Sequence, residues 1–75
     1  MDRIEGRVKW FSNSKGYGFI IPDEKTGMTD DIFVHYSQLD GKGFKTLRDG
    51  ERVEFKPEKT QKGYHAQEVV VLEEV

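Results

Sequence analysis

The sequence predicts an all-β domain in which five antiparallel strands close into a Greek-key barrel. Apolar residues recur at every second position in short bursts, which is the period of a strand and not of a helix. Clusters of Gly, Asp, Asn and Lys separate these bursts and are typical of turns. The 75 residues suffice for one domain, and closing the sheet removes most of the edge that so small a protein would expose.

Three strands in a meander, a long crossing connection and a closing hairpin are expected along the chain. Asn13–Gly16 forms the first turn, and Asp23–Asp30 forms a charged loop before the third strand. The connection Ser37–Asp49 is expected to include a helical turn at its start, capped by Ser37. Pro57–Gly63 is the last loop. The strands are predicted at Ile4–Ser12, Tyr17–Pro22, Asp31–Tyr36, Glu51–Lys56 and Tyr64–Leu72.

The composition excludes several classes of protein. The chain has no cysteine and 2 histidines, too few ligands for a zinc site, and we expect no cofactor. Its charged first residues and the lack of a long apolar run predict a cytoplasmic protein with no membrane partner. Lys and Arg total 12 against 14 Asp and Glu, so phosphate neutralisation alone would not hold a nucleic acid.

Alternation along the strands sorts the side chains onto two faces. A small barrel has one interior, and the aliphatic set is large enough to fill it. The aromatic set therefore belongs outside, where Lys9 accompanies it. Gly16 and Gly18 have no side chains there, so a ligand can approach the backbone closely. The alternative, in which both faces are core, is disfavoured by these polar neighbours. The aliphatic set is Val8, Ile20, Ile32, Val34, Val53, Val69 and Val71, and the aromatic set is Tyr17, Phe19, Phe33 and His35.

Exposed rings interleaved with lysine predict binding of single-stranded nucleic acid. Each base stacked on a ring contributes roughly 1–3 kcal/mol, and any base can stack. Four stacks would supply on the order of 4–12 kcal/mol before ordering costs, where micromolar binding needs about 8 kcal/mol. A net-acidic protein could thus bind through its rings, with a shallow dependence on salt.

Four stretches of the chain resemble the cold-shock domain family. Lys15–Ile20 is similar to its first ribonucleoprotein motif and Ile32–Tyr36 to its second, while Gly6–Phe11 and Gly43–Leu47 match it elsewhere. The resemblance covers residues 1–75 as a single domain. It implies a barrel of the OB type and a monomeric RNA chaperone that binds pyrimidine-rich single-stranded RNA and DNA. It further implies a role in transcription, translation or the cold-shock response, with neither enzymatic activity nor a small-molecule substrate.

The resemblance also implies which residues contact the nucleic acid. Strict alternation would point Trp10 and Tyr36 inward, so we expect a bulge near Trp10 and a strand that ends at Tyr36. The chain departs from the family pattern at Tyr64, His65 and Glu68, where Pro, Gln and Asn are usual, and Tyr64 is expected to pack. The implied stacking residues are Trp10, Tyr17, Phe19, Phe33, His35, Tyr36 and Phe44; the basic contacts are Lys9, Lys15 and Lys62; and Asp31 is a polar base contact.

Three alternative functions remain at this point. A small ribonuclease could use His35 with Asp31 or a Glu, although no second base is evident nearby in the sequence. A β-barrel adaptor could hold a protein or a proline-rich peptide with the same rings. A translation-type OB domain is the nearest alternative among nucleic-acid binders.

Overall fold

The computed structural model describes residues 3–39 and 46–73, and within them the chain forms five strands and two short 3-10 turns. None of the helices in these two ranges has the length and apolar character needed to cross a membrane. The strands are β1 Ile4–Ser12, β2 Tyr17–Pro22, β3 Ile32–His35, β4 Arg52–Thr60 and β5 Gly63–Glu73, and the turns are Glu24–Thr26 and Tyr36–Gln38.

The strands of residues 3–39 and 46–73 close into a barrel in the order β1-β2-β3-β5-β4, which confirms the predicted fold class. Every pairing is antiparallel except β3 with β5, where Phe33 and His65 are parallel partners. Leu39 and Val69 form a second parallel bridge beyond the end of β3. This exception follows from the strand number, because an odd number of strands in a ring cannot all alternate in direction.

The interior contains the aliphatic side chains that alternation assigned to it. Six of the seven predicted core residues are buried, and Val71 is half-buried against them. Phe55 is fully buried and is the largest side chain in the interior of the described ranges. It lies two residues after Val53 and so shares the inward parity of β4. The residues of the hydrophobic core cluster that were not in the predicted aliphatic set are Leu39, Leu47, Phe55 and Ala66.

The closing hairpin is longer than predicted. Pro57, expected to begin a loop, is buried inside β4 opposite Ala66, and β4 runs on to Thr60. Pro57 is tolerated because the pairing of β4 with β1 extends only to Phe55 and Ile4. On the β1 side of Pro57, therefore, no strand requires its missing N–H. The predicted loop Pro57–Gly63 is therefore wrong, and residues 61–62 make the turn.

The helical turn after β3 begins one residue earlier than predicted. β3 ends at His35, and Tyr36–Gln38 forms a 3-10 turn. The predicted cap, Ser37, is wrong: its backbone N–H donates to Nδ1 of His35 at 3.2 Å, so His35 is the capping residue. A histidine nitrogen replaces the hydroxyl that the sequence suggested.

Ion pairs fasten the charged loop to the barrel wall. Arg52 on β4 donates to Asp23 at 2.8 Å and to Glu5 at 3.2 Å. The hydrogen bond to Asp23 is the largest cause of a raised pKa of Arg52, and the negative charge of the same carboxylate is the next largest. Arg3 pairs with Glu54 at 2.5 Å. These contacts pair acidic side chains of β1, β4 and the loop after β2 with arginine.

Glu68 has a left-handed backbone within β5. Its φ is 51°, a region that costs most L-residues about 1–2 kcal/mol and that Asn tolerates better. Its carbonyl accepts from Arg3 at 2.6 Å, and its exposed carboxylate pairs with Lys56 at 3.2 Å. This backbone explains why Asn is usual here in the domains that the chain resembles: the position needs a left-handed residue, and Glu occupies it under strain.

Replacing Glu68 with asparagine is expected to stabilise the protein by about 0.5–1 kcal/mol, because relief of the backbone outweighs loss of an exposed ion pair. The free energy of unfolding in denaturant measures the change. Glu68→Gln is the matched control, since it removes the charge and keeps the strain. An Asn variant no more stable than the Gln variant would contradict this account.

Candidate nucleic-acid interface

A cluster of rings covers one side of the barrel exterior across β1, β2 and β3. Trp10 pairs with Phe19 along the strands, and Phe19 pairs with Phe33. The ring centroids of Trp10 and Phe19 lie 5.4 Å apart, and those of Phe19 and Phe33 lie 5.8 Å apart. Tyr17 completes the cluster at 6.0 Å from Trp10 and 5.6 Å from Phe33. These spacings leave tilted rings side by side, as neighbouring aromatic side chains prefer.

A β-bulge brings Trp10 onto this side. Val8 is opposite Ile20, and Trp10 is opposite Phe19, so β1 uses one more residue than β2 at this point. The extra residue reverses the inward and outward parity, and Lys9 and Trp10 are both exposed. The bulge expected near Trp10 is confirmed.

Two glycines allow close packing beside the rings. A Cβ on Gly18 would collide with the carbonyl oxygen of Trp10 and lie 2.7 Å from Cα of Phe11, so the β1 backbone can approach β2 only at a glycine. Gly16 has a φ of 79°, and the Tyr36 ring lies 3.0 Å from where its Cβ would be. Its carbonyl accepts from the Tyr36 N–H at 2.8 Å.

His35 and Tyr36 extend the cluster at the end of β3. Their ring centroids lie 4.6 Å apart, and Tyr36 is 49% exposed. Nδ1 of His35 is 2.9 Å from the Ser37 hydroxyl, which fixes the orientation of the imidazole. Phe11, Lys15 and Tyr36 are among the side chains that border an open cleft of about 270 Å³ here. We call the six residues Trp10, Tyr17, Phe19, Phe33, His35 and Tyr36 the ring face.

Charged side chains accompany the ring face. Lys9 donates to Asp31 at 2.9 Å, so the structure brings together two of the residues expected to contact bases or phosphates. Lys15 is exposed in the turn beside Tyr36. Lys62 is exposed in the turn between β4 and β5, where its N–H donates to the Thr60 hydroxyl at 3.2 Å.

Most of the expected stacking residues thus lie on one surface, while their role in binding stays a prediction. Phe44 lies outside the described residues. Phe11 and Tyr64 are half-buried against the core, and the packing of Tyr64 was expected. His65 was not among the predicted site residues, yet its ring lies 4.8 Å from that of Phe33. Its alternation with the inward Ala66 was the signal that could have found it.

Comparisons with known proteins place the chain among cold-shock proteins. Residues 4–72 match the family described as the 'Cold-shock' DNA-binding domain. Cold shock-like protein CspC of Buchnera aphidicola subsp. Acyrthosiphon pisum is 49% identical over 72 residues, which are 96% of this chain and 100% of that protein. Cold shock-like protein CspE of Escherichia coli K12 is 47% identical with the same coverage.

A solved structure supports the fold. The structure described as "drosophila Unr CSD456" superposes with a TM-score of 0.73 at 18% sequence identity, covering 95% of this chain and 27% of that one. At this identity the likeness shows the fold alone. The barrel and the family match together define a nucleic-acid-binding protein of the OB type. The chain belongs to the cold-shock DNA-binding domain family.

Replacing Gly18 with alanine is expected to destabilise the protein by about 1–3 kcal/mol and to shift the emission of Trp10, because the new methyl group pushes the bulge away from β2. Denaturant unfolding and the tryptophan spectrum measure both effects. Gly27→Ala is the control: Gly27 is left-handed, at φ 79°, so alanine is strained there, but an added Cβ meets nothing within 4 Å. It should lose stability without moving the spectrum. Unchanged Trp10 emission in the Gly18 variant would contradict the close approach.

Proposed function

We propose that the protein binds unpaired, pyrimidine-rich stretches of RNA and DNA by stacking bases on the ring face, and that it acts as an RNA chaperone. The observation that carries this proposal is the cluster of four rings, Trp10, Tyr17, Phe19 and Phe33, in mutual contact on the outside of a closed barrel. The interior is already filled by aliphatic side chains and Phe55, so the rings are not needed as core.

Stacking accounts for the choice of single strands. A base offers its π-face to a protein ring only when it is unpaired and unstacked, so duplexes are excluded. With roughly 1–3 kcal/mol for each stacked base, three or four bases outweigh the cost of ordering the strand. Affinity then depends little on phosphate contacts, which suits a chain of net charge −2.

The pair Lys9 and Asp31 is placed to hydrogen-bond the edge of a base that stacks on the ring face, and uracil or thymine fits it. It places an N–H donor and a carboxylate acceptor 2.9 Å apart at the edge of the ring face. Uracil and thymine carry a carbonyl acceptor next to an N–H donor on the edge used in base pairing, and protein side chains read such edges by hydrogen bonds. The two side chains offer the complementary pattern.

Chaperone activity follows from selective binding without any energy source. A protein that binds the open strand and not the duplex shifts the equilibrium of a weak hairpin toward its melted form by mass action. A duplex step is worth about 1.4 kcal/mol on average, so saturating protein opens marginal hairpins and leaves long stems closed. We further propose that the protein is a cytoplasmic monomer that acts in transcription, translation or the cold-shock response.

We infer binding and not catalysis at this surface. A ribonuclease built on His35 and Asp31 would need the two groups to act together on the substrate. Nδ1 of His35 is held by the backbone N–H and hydroxyl of Ser37, and the Asp31 carboxylate is held by Lys9. The two groups are thus engaged with different partners and do not form an acid–base pair with each other.

Titrating a short oligothymidine or oligouridine into the protein should quench the fluorescence of Trp10 with micromolar or tighter affinity. The reason is that Trp10, 37% exposed, lies within the stacking surface. Phe33→Leu removes one central ring while keeping an apolar side chain, and it should weaken binding about 5- to 150-fold. Leu72→Ala is the control, since Leu72 is an exposed apolar residue seven positions beyond His65 on β5.

The same titration with a duplex of matching sequence should show at least tenfold weaker binding. Equal affinity for the duplex and the separated strand would disprove the stacking mechanism. No binding of either, with capture of a proline-rich peptide that oligonucleotides do not displace, would favour a protein adaptor instead.

Replacing Lys15 with alanine is expected to weaken oligothymidine binding about 2- to 5-fold at low salt and to lower the salt slope by about 1, because one phosphate contact is lost. The affinity is measured at about 50 and about 200 mM salt. Lys25→Ala removes the same charge in the Glu24–Thr26 turn, on the cleft bordered by Arg3 and Glu54. It should leave both quantities unchanged. Equal losses in the two variants would show that only net charge matters.

A further inference from the structure

His65 continues a row of paired positions that crosses the barrel. Trp10 on β1 is opposite Phe19 on β2, and Phe19 is opposite Phe33 on β3. The parallel pairing then places His65 on β5 beside Phe33. Residues paired across strands point to the same face, so the imidazole belongs to the same outer surface as the other three rings.

The ring of His65 is in contact with the cluster and still open to solvent. Its centroid lies 4.8 Å from that of Phe33, the shortest ring spacing along this row, at an interplanar angle of 45°. Ala66, the next residue, is buried, and Tyr64 packs against the core, so His65 points outward between two inward neighbours. It is only half-buried. A tilted ring that contacts Phe33 and is only half-buried leaves part of the imidazole open to a base.

Glu58 on β4 lies next to His65, on the side away from Phe33. The two are antiparallel partners of β4 and β5, and Glu58 is exposed while its neighbour Pro57 is buried. Its side chain therefore lies on the same outer surface, about 5 Å from His65 at the Cβ atoms. A carboxylate has no aromatic ring on which a base could stack, and it repels a phosphate. The surface therefore favours a base at His65 on β5 and disfavours a nucleotide at Glu58 on β4.

We propose that His65 is a base-stacking position that extends the ring face by one nucleotide onto β5, and that Glu58 ends the stacking surface on β4. The ligand is one more unpaired base of the same strand that the ring face holds, so the inference rests on the proposed function. The family resemblance assigns no ring to this position, where Gln is usual.

A purely structural role for His65 makes a different prediction. If the imidazole only supported Phe33, removing it would weaken the binding of every oligonucleotide by the same factor. If it stacks a base of its own, the loss appears only when the strand is long enough to reach β5. The dependence of affinity on strand length separates the two roles.

The test uses oligothymidines of about four to about nine nucleotides, within the range that one OB fold covers. Fluorescence of Trp10 reports affinity for the wild-type chain, His65→Gln and His65→Phe, and thermal unfolding checks that each variant is folded. His65→Gln should bind the short strands normally and the long strands about 5- to 20-fold more weakly. His65→Phe should regain the long-strand affinity, because it restores a ring. Glu58→Gln should strengthen long-strand binding about 2- to 3-fold at low salt.

The outcomes are distinguishable from those of the proposed function. If the wild-type chain binds no oligothymidine, the proposed function fails and this inference with it. If the wild type binds and His65→Gln matches it at every length, the inference about His65 is wrong while the proposed function stands. A uniform loss at all lengths would assign His65 the supporting role. If Glu58→Gln weakens the binding of long strands, the proposal that Glu58 ends the stacking surface on β4 is wrong.

Discussion

The closed barrel has one interior, and this limit determines the placement of its other side chains. Across residues 3–39 and 46–73 the strands form a ring whose inside is occupied by aliphatic side chains and Phe55. Rings that alternate with these residues have no second core to enter, so they lie against each other on the outside. Closure also requires the parallel contact of β3 with β5, since the strand number is odd. The ring cluster and its contact with His65 therefore follow from the same closure.

The sequence was informative where alternation and turn residues agree. The bounds predicted for β1 and β2 match the structure at both ends, because Gly16 and the turn before it interrupt two clear period-two segments. The ring face could also be predicted, although alternation alone would have turned Trp10 inward. The bulge that corrects its direction is set by a backbone approach at Gly18, which appears in the sequence only as a glycine. The resemblance to cold-shock domains supplied what periodicity could not.

Other features depend on partners that are distant in the chain. Pro57 was predicted to end β4, yet it lies inside the strand because β1 has already stopped pairing there. The length of that pairing is a property of the closed ring and not of the local sequence. The left-handed Glu68 likewise lies where the pairing of β4 with β5 shifts register between Glu54 and Lys56, and the local sequence gives no sign of this shift. His65 was missed for the same reason, since its ring partner Phe33 is brought to it only by the parallel contact.

A protein of acidic net charge can bind a polyanionic ligand when its acidic side chains lie away from the binding surface or are paired with cations. Away from the ring face, Arg52 holds Asp23 and Glu5, so these carboxylates contribute little repulsion at the binding surface. On the ring face, Lys9 is already paired with Asp31 at 2.9 Å. A phosphate that approaches Lys9 must compete with that carboxylate, which lowers the electrostatic gain from each contact. The rings meet no such competitor, because an exposed π-face gives up only water when a base stacks on it. In the binding mode that we propose, the balance of the two terms makes base stacking the larger source of affinity and limits what salt can change.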